Sequence, residues 1–592
     1  MEYPNKSTEN FRLRTVILSI LLLLLSALFL VCIESTDRAY DNDLWFHLQY
    51  GKHYTENHTW SIEHSVYSWT PATRQWDYIT WIGSTAIYLV YKYISPDAVM
   101  LIPFIVLVCV LIVYILFLRS IAQPYSFITM SIFFIAACYF YLPVVKPADL
   151  TILLFSVCIA IYYSCRHNRN RLYWAYPPLF LLWVNTHGGF IFGMFFLICA
   201  FSLDLCFDWK KRMLQSNRTY LLGFGTALFV SILVLGINPD GFGYFVGLYR
   251  EITHSEGLDP AKYINEFTDL WSKMNPSVTL NPGAVGTSWI GVFMLGSYAL
   301  LALLGIKKGR SLDLTSIFLL TIFFIMGMKV YRLLTFFCLI WTFSISWFIT
   351  TKRPVLSLGK LAFVTLAFAC YFIGNQANNF LLGGDTFHPF KHNIDFIYPT
   401  KAVDIIKQYK LPGEIIHDYG TGGYLIWWLY PEYKVFADPR GGPYRQDVLE
   451  DCFSLQRAST IADLKTILHK YPQAKTAIFS LVLRNLSQLF MQLPDWRLVY
   501  FDQAAVIFVK TDALHERIPV DMSPQRFARL NHPLVLYNLF FMYRSINSED
   551  SARLIRKYFE TNVSSYYLYK NSYLELMDLS LPKSGSKTDE KT

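Results

Sequence analysis

Long apolar runs separated by short polar segments occupy most of residues 1–380. A helix that crosses a bilayer needs about 20 largely apolar residues. Eleven runs meet or approach this requirement, and we expect each to be a spanning helix. They cover residues 15–33, 99–118, 126–145, 150–164, 174–184, 190–207, 220–237, 290–306, 314–328, 333–350 and 361–375. The pattern therefore predicts a polytopic α-helical membrane protein.

Clusters of Lys and Arg indicate the orientation of these runs, because positively charged loops remain cytoplasmic. Successive clusters are separated by two predicted spans if residues 78–94 form a helix in the membrane plane. That segment is dense in Trp and Tyr, as is usual for interfacial helices. The amino terminus is then cytoplasmic and the carboxyl terminus external. The alternative is a twelfth span at residues 78–94, which would place the basic cluster at 166–171 outside.

The pattern after residue 380 is that of a soluble domain. Residues 399–409 have helical spacing, whereas short apolar segments are typical of strands. The predicted strands lie at residues 414–418, 434–438, 474–479 and 504–509. We therefore expect a membrane module at 1–380, an external α/β domain at 381–510, a helical extension at 511–582 and a disordered tail at 583–592. Two polar stretches of the module, 34–97 and 238–288, are predicted to be external loops, and the first is expected to contain two interfacial helices, at residues 43–54 and 77–94.

Composition agrees with this interpretation. Of the 592 residues, 54% are hydrophobic and 16% are charged, whereas soluble proteins carry roughly 25% charged residues. Such a composition excludes a disordered chain. The formal charge of +9 comes largely from the predicted cytoplasmic loops, so it reflects topology and does not point to a nucleic-acid partner. The ten cysteines form no Cys-x-x-Cys pair, which leaves zinc and redox chemistry without support.

Two carboxylates and an imidazole follow the first predicted span, at Asp41, Asp43 and His47. Hard oxygen ligands of this kind can bind a divalent cation such as Mg²⁺ or Mn²⁺. A carboxylate at this position could equally act as a general base on an acceptor hydroxyl. The structural alternative is that Asp41 or Asp43 caps the helix that follows.

The run Asp41-Asn-Asp-Leu-Trp-Phe-His-Leu-Gln-Tyr-Gly resembles a motif of a large family of bacterial polytopic membrane proteins. The architecture of that family resembles the GT-C class of glycosyltransferases, which use lipid-phosphate-linked sugars. Further matches are Trp183-Val-Asn-Thr-His-Gly-Gly-Phe, Ile237-Asn-Pro-Asp-Gly, Asp418-Tyr-Gly-Thr-Gly-Gly and Val435-Phe-Ala-Asp-Pro-Arg. The resemblance covers residues 15–510.

The resemblance implies roles for the matching residues. GT-C enzymes carry an essential acidic residue in the first external loop, and Asp43 occupies that place, with Asp41 and His47 as metal or orientation partners. Polar and basic residues at external ends of spans would bind the departing lipid phosphate, because charge develops there in the transition state. These residues are Lys146, Asn185, His187 and Arg332. The alternative for Lys146 and Arg332 is contact with lipid headgroups.

The sequence departs from the family pattern at one position, and four further residues are candidates for contact with the acceptor. Lys146 stands where the family pattern suggests Arg, and a lysine binds phosphate less directionally. Residues in acceptor or loop positions are Asp77, Asp240, Asp438 and Arg440. Their structural alternatives are a helix cap for Asp77, a turn for Asp240 and an ion pair that organises a turn for Asp438 and Arg440.

These observations predict an integral-membrane glycosyltransferase. It would move a hexosyl or pentosyl group from a polyprenyl-phosphate donor in the bilayer to an external glycan, lipid or protein acceptor. The alternative is a non-catalytic scaffold or a transporter-like protein of envelope glycan assembly. The predicted location is a bacterial inner membrane, with membrane lipid and lipid-linked sugar as partners and no nucleic acid.

Overall fold

The structure, a computed structural model, describes residues 41–71, 78–121, 127–140, 144–168, 170–207, 215–253, 269, 294–299, 313–352, 398–514, 518, 521–563, 565 and 569–581. The predicted spans 15–33 and 361–375, most of 290–306 and the tail 583–592 lie outside the described residues. The chain divides into two units, residues 1–62 with 75–376 and residues 63–74 with 377–592. Part of the first predicted loop thus packs with the carboxyl-terminal unit.

The first unit is built from helices whose apolar side chains pack against one another. They are α1 (Asp43–Glu56), α2 (Trp81–Tyr93), α3 (Ile102–Ser120), α4 (Phe127–Phe140), α5 (Ala148–Asn168), α6 (Tyr176–Val184), α7 (Phe190–Phe207), α8 (Gln215–Val234), α9 (Gly243–Thr253), α10 (Leu314–Lys329) and α11 (Leu334–Lys352). Large aromatic side chains such as Phe155, Trp183 and Phe323 are fully buried in its core.

Four helical stretches within the described residues are long and apolar enough to cross a membrane. They are Asp97–Ser120, Ala148–Asn168, Phe190–Phe207 and Tyr331–Ile349. Three shorter apolar helices are Leu172–Val184, Thr219–Val234 and Leu314–Lys329. Each stretch coincides with a predicted apolar run. The helical, membrane-type character of this unit agrees with the prediction, while the count of eleven spans stays a prediction.

Helices α1 and α2 pack directly on each other, and a glycine allows the close approach. A Cβ atom at Gly51 of α1 would lie 2.2 Å from the carbonyl oxygen of Ser84 and 2.5 Å from Cβ of Tyr88, both in α2. Helix α2 has 13 residues and is roughly 20 Å long, which is less than the thickness of the hydrocarbon core. This packing fixes the residues of α1 against α2.

Helix α5 connects two polar clusters. It has 21 residues and is therefore roughly 30 Å long, close to the hydrocarbon thickness. Lys146 precedes its first turn, and Arg166 lies in its last turn. Arg166 forms ion pairs with Asp204 of α7 at 3.3 Å and with Asp313, the N-cap of α10, at 2.9 Å. This buried cluster joins α5, α7 and α10 at the end of α5 opposite Lys146.

The second unit contains a four-stranded mixed sheet. Its strands are β1 (Ile415–His417), β2 (Thr476–Ser480), β3 (Trp496–Phe501) and β4 (Ala505–Lys510), in the order β1-β2-β4-β3. β1 pairs with β2 in parallel, whereas the β2–β4 and β4–β3 pairs are antiparallel. Helices of this unit are α12 (Thr400–Gln408), α13 (Gly422–Leu429), α14 (Gln446–Arg457), α15 (Ile461–Lys470), α16 (Arg484–Met491), α17 (Pro533–Ser545), α18 (Glu549–Asn562) and α19 (Lys570–Ser580).

The sequence predicted four strands. Three of them correspond to β1, β2 and β4, and the fourth prediction is wrong. Residues 434–438 are not a strand: Val435 forms a single parallel bridge with Ser68, and the rest is irregular. Val435, Phe436 and Ala437 are buried, so the segment has the apolar composition of a strand although it is irregular. Strand β3 was not predicted, since its burial pattern does not alternate cleanly. Predicted helix 399–409 agrees with α12.

Candidate functional site

Asp41 and Asp43 lie at the amino-terminal end of α1. The Asp43 amide donates to Asp41 Oδ1 at 3.1 Å, and the Leu44 amide donates to the Asp41 carbonyl oxygen at 3.0 Å. Asp41 therefore accepts a hydrogen bond from the first helical residue, whereas the N-cap position is Asn42, which makes no side-chain capping hydrogen bond, so neither aspartate is the helix cap that the structural alternative proposed. The second carboxylate oxygen of Asp41, Oδ2, contacts another residue.

That residue is Lys146, which the turn before α5 brings to the start of α1. Lys146 Nζ lies 2.6 Å from Asp41 Oδ2 and 3.7 Å from Asp43 Oδ2. The Lys146 side chain is 8% exposed, and the Lys146 amide donates to Asp149 Oδ2 at 3.4 Å. A lysine held in this way neutralises one of the two carboxylates, so the three side chains together carry a net charge of one negative unit.

The acidity of Asp41 follows from this arrangement. Burial alone raises the pKa of its carboxyl group. The charge and hydrogen bond of Lys146, the Asp43 amide and the charge of Arg332 outweigh burial, and the pKa of Asp41 lies below its ordinary value. Asp41 is therefore an ionised carboxylate that is already engaged in the protein.

Asp43 is the more accessible of the two carboxylates. Its side chain is 29% exposed, compared with 18% for Asp41, and it lies farther from the Lys146 ammonium. A carboxylate that accepts a proton from a substrate must be reachable by that substrate. The geometry thus favours Asp43 over Asp41 as a base.

His47 is buried and lies in the electrostatic field of Lys146 and Asp41. Its Nδ1 is 2.9 Å from Ser84 Oγ, and Ser84 Oγ is 3.0 Å from Thr80 Oγ1. Burial and the Lys146 charge lower the pKa of His47 to about 3, although the Asp41 charge acts in the opposite direction. The ring is therefore neutral at physiological pH, and its contact links α1 to α2.

A lysine ammonium lies against both carboxylates that the sequence proposes as divalent-cation ligands. Mg²⁺ and Mn²⁺ need several hard oxygen ligands. Asp41 and Asp43 supply such oxygens, but the Lys146 ammonium lies against both of them. Among the described residues, no group of three His, Cys, Asp or Glu side chains could hold a metal ion. Cation binding by Asp41 and Asp43 stays a prediction, and we derive no step from it.

His187 lies in the short loop between α6 and α7. The Gly189 amide donates to its Nδ1 at 3.0 Å, and Thr151 Oγ1 of α5 lies 2.9 Å from the same atom. Burial, together with the charges of Arg332 and Lys146 and the nearby His47, keeps the pKa of His187 well below its ordinary value. His187 is therefore also neutral.

Arg332 lies in the 3-10 turn Tyr331–Leu333 between α10 and α11. Its positive charge acts on the Asp41 carboxylate and on the His187 ring. Because the charge of Lys146 also acts on both groups, Asp41 and His187 lie in the electrostatic field of the same two cations. The structure therefore brings together the residues that the sequence placed at the ends of different spans.

Asn185 forms hydrogen bonds with three other residues of the protein. Its amide nitrogen donates to the carbonyl oxygens of Leu181 and Ile237 at 2.9 and 2.8 Å. Its amide oxygen accepts from Trp81 Nε1 at 2.8 Å. These bonds tie α2, α6 and the segment before α9 to one another, which is a structural role beside the predicted phosphate contact.

Two other positions were predicted in the first unit, Asp77 and Asp240. Asp77 lies outside the described residues. Asp240 lies in a turn where its amide donates to Asn238 Oδ1 at 2.9 Å, and the next residue, Gly241, has a φ of 57°. The turn interpretation of Asp240 agrees with this geometry.

Asp438 and Arg440 form a buried ion pair in the second unit. Arg440 donates from Nε to Asp438 Oδ1 and from Nη2 to Oδ2, each at 2.7 Å. It also donates to the His64 carbonyl oxygen at 2.7 Å and to the Tyr444 hydroxyl at 2.8 Å. The two charged side chains are 0% and 2% exposed. This geometry favours the structural alternative, a pair that organises its turn, over contact with an acceptor.

The neighbouring family motif is structural as well. His417 donates from Nδ1 to the Asp418 carbonyl oxygen at 2.9 Å and accepts from the Phe436 amide at Nε2 at 2.8 Å. Asp418 accepts from the Ser480 amide at 2.9 Å and from Thr421. The motif thus connects β1, β2 and the irregular segment that follows α13.

Sequence reasoning missed Thr151 and Ser84, which contact the two histidines of the site. A hydroxyl within a long apolar run gives little signal, because Ser and Thr also bond back to helix carbonyls. Thr151 lies five residues after Lys146, on the first turn of the predicted span. That position was the only available sign.

Comparison with known proteins gives structural similarity alone. No family model matches the sequence, and no curated protein matches it. The chain is similar to the apo oligosaccharyltransferase of Archaeoglobus fulgidus, with a TM-score of 0.46, 12% identity and coverage of 80% of this chain and 71% of that chain. The same enzyme tethered to an acceptor peptide with the NVT sequon gives 0.48, 12%, 84% and 75%. TM-scores below 0.5 do not establish a shared activity.

Proposed function

We propose that the protein is an integral-membrane glycosyltransferase of GT-C type that takes its sugar from a lipid-phosphate donor. One observation carries this proposal: a partly exposed carboxylate pair at the start of α1 lies in the field of two cations and a neutral imidazole. The carboxylates suit a hydroxyl nucleophile. The cations suit a phosphate leaving group. The surrounding motifs resemble those of a bacterial membrane-protein family whose architecture resembles GT-C enzymes, and this resemblance supports the same reaction.

Asp43 is the general base in this proposal. The acceptor hydroxyl gives its proton to Asp43 as its oxygen forms a bond to the anomeric carbon of the sugar. The bond between that carbon and the phosphate oxygen breaks, and the lipid phosphate leaves with the electron pair. Asp41 is held by Lys146 and maintains the position and charge of Asp43.

Arg332 and His187 stabilise the departing phosphate. Arg332 presents a planar guanidinium that can bind two phosphate oxygens at once. The Lys146 ammonium lies 2.6 Å from Asp41 Oδ2, so its main role in this proposal is to be the counter-ion of the carboxylates. The finer points of this proposal are a polyprenyl donor, a hexosyl or pentosyl group, and an external glycan, lipid or protein acceptor at a bacterial inner membrane.

Substitution of the base tests the function in cells. We expect Asp43→Asn to abolish formation of the glycosylated product, because an amide cannot accept the proton. The polyprenyl-phosphate sugar should accumulate, and mass spectrometry of extracted lipids and surface glycans measures both. Asp97→Asn is the matched control, since Asp97 is an exposed carboxylate of the same unit.

The scaffold alternative makes the opposite prediction. If the protein only assembles other components, Asp43→Asn and Asp97→Asn should give the same glycan and lipid profiles as the wild type. Deletion of the gene would change the profiles while Asp43→Asn would not. That combination would contradict an enzymatic role.

A further inference from the structure

The ring nitrogens of His187 have different roles, and the backbone decides which. A main-chain amide is only a donor, and the Gly189 amide donates to His187 Nδ1 at 3.0 Å. Nδ1 must therefore present its lone pair. In a neutral imidazole the proton is then on Nε2. A protonated Nδ1 would place two hydrogens between the same two nitrogens.

A second donor reaches the same lone pair. Trp183 Nε1 is only a donor, and it donates to Thr151 Oγ1 at 3.0 Å. The Thr151 hydroxyl is thereby oriented with its hydrogen available for His187 Nδ1, which lies 2.9 Å away. Trp183 is fully buried. The chain of hydrogen bonds from Trp183 through Thr151 to His187 therefore sets the ring in one tautomer from a buried part of the core.

Gly189 makes this arrangement sterically allowed. A Cβ atom at position 189 would lie 2.5 Å from Thr151 Cγ2, 2.7 Å from Thr151 Oγ1 and 3.1 Å from His187 Nδ1. Any side chain there would displace the hydroxyl or the ring. This close approach explains why residue 189 is a glycine.

We infer that the Gly189 amide and the Thr151 hydroxyl hold His187 as a neutral Nε2–H donor, which binds a non-bridging phosphate oxygen of the lipid donor. This inference rests on the proposed function for its ligand, and it adds Thr151 as a positioning residue. His187 shares its field with Arg332 and Lys146. A neutral donor adds a hydrogen bond to the phosphate without a third positive charge.

The ring state is tested by nitrogen NMR of histidine-labelled full-length protein in nanodiscs. The His187 signal is assigned as the one missing from His187→Gln. We expect a protonated Nε2 and a bare Nδ1 at neutral pH. A proton on Nδ1, or on both nitrogens, would overturn the inference.

The role of Thr151 is tested on the same signal. Thr151→Val removes the hydroxyl and should give a second ring population, because only the Gly189 amide then holds Nδ1. Thr151→Ser keeps the hydroxyl and should restore the single wild-type signal. An unchanged signal in Thr151→Val would refute the positioning role.

Binding of farnesyl monophosphate, a short prenyl phosphate, tests the ligand. The Gln amide reaches as far as Nε2 and donates a neutral N–H, whereas the shorter Asn does not. We expect His187→Gln to keep the Kd within about threefold and His187→Asn to weaken it about tenfold or more. Equal losses in the two variants would contradict a role for the Nε2 proton.

The pH dependence separates a neutral donor from a cation. The ratio of the Kd of His187→Gln to that of the wild type should stay constant from about pH 5.5 to about pH 8. A ratio that rises as the pH falls would mean that His187 binds as a cation, against the inference. If neither the wild type nor the variants bind farnesyl monophosphate while NMR shows a proton on Nε2, the proposed function and the proposed phosphate ligand are wrong. The assignment of the ring tautomer would still be correct.

Discussion

At the scale of single residues, the two carboxylates at the start of α1 have different duties. Asp41 lies just before the helix and pairs with Lys146 at 2.6 Å, whereas Asp43, the first residue of α1, lies farther from that lysine and is more exposed. The sequence identified all three residues as candidates. It could not pair them, because 105 residues separate Asp41 from Lys146 and the contact depends on how α1 meets the turn before α5.

Removal of the Lys146 charge should lower stability in a pH-dependent way. The pKa of Asp41 is below its ordinary value of 3.8 in the folded protein, so its ion pair stabilises the fold above that pH and is lost as the pH falls through the folded pKa. We expect Lys146→Met to reduce the free energy of unfolding by about 2–3 kcal/mol at neutral pH, less than for a fully buried pair.

Unfolding in detergent by denaturant, followed at several pH values, measures this difference. It should shrink as the pH falls from about 4 through the lower folded-state pKa of Asp41, because the carboxyl group then becomes protonated in both proteins. Lys146→Arg keeps the charge and is the control. Equal stability of wild type and Lys146→Met at neutral pH would show that the pair contributes nothing.

At the scale of elements, periodicity predicted the apolar helices and three of four strands. It was wrong at residues 434–438, where an irregular segment with residues 435–438 buried has an apolar composition like that of a buried strand. It missed β3, which carries the exposed Arg497 after the buried Trp496. Burial depends on neighbouring elements, so composition alone could not separate these cases.

The ion cluster at the carboxyl-terminal end of α5 should contribute strongly to the stability of the packing between α5, α7 and α10. Arg166→Ala would leave Asp204 and Asp313 buried without their cation, and we expect a loss of about 3–5 kcal/mol. Thermal unfolding in detergent measures this loss. The triple variant that also carries Asp204→Asn and Asp313→Asn should recover much of the stability, and failure to recover any would argue against uncompensated charge as the cause.

At the scale of the whole molecule, the chain keeps its candidate chemistry and its second group of motifs in different units. The first unit holds Asp43, Lys146 and His187. The second holds the Asp438–Arg440 pair, which is saturated by contacts inside its own unit. The sequence resemblance marked both groups equally, because a motif shows that a residue matters without showing whether it folds the chain or binds a substrate.

Loss of the Arg440 side chain should therefore damage folding of the second unit. Arg440→Ala leaves the buried Asp438 carboxylate without its partner, and we expect a loss of about 3–5 kcal/mol. Limited proteolysis should show faster cleavage within residues 398–581. Arg445→Ala, which removes an exposed ion pair, is the control. Equal proteolysis rates in the two variants would contradict a structural role for Arg440.

The central claim is that Asp43 is the base of a sugar transfer from a lipid phosphate. The most direct measurement uses purified full-length protein in nanodiscs, supplied with lipid-linked sugars extracted from the deletion strain and with envelope acceptors, and follows release of the lipid phosphate by mass spectrometry. We predict release with wild type and with Asp97→Asn, and none above background with Asp43→Asn. Equal release by wild type and Asp43→Asn would contradict the claim.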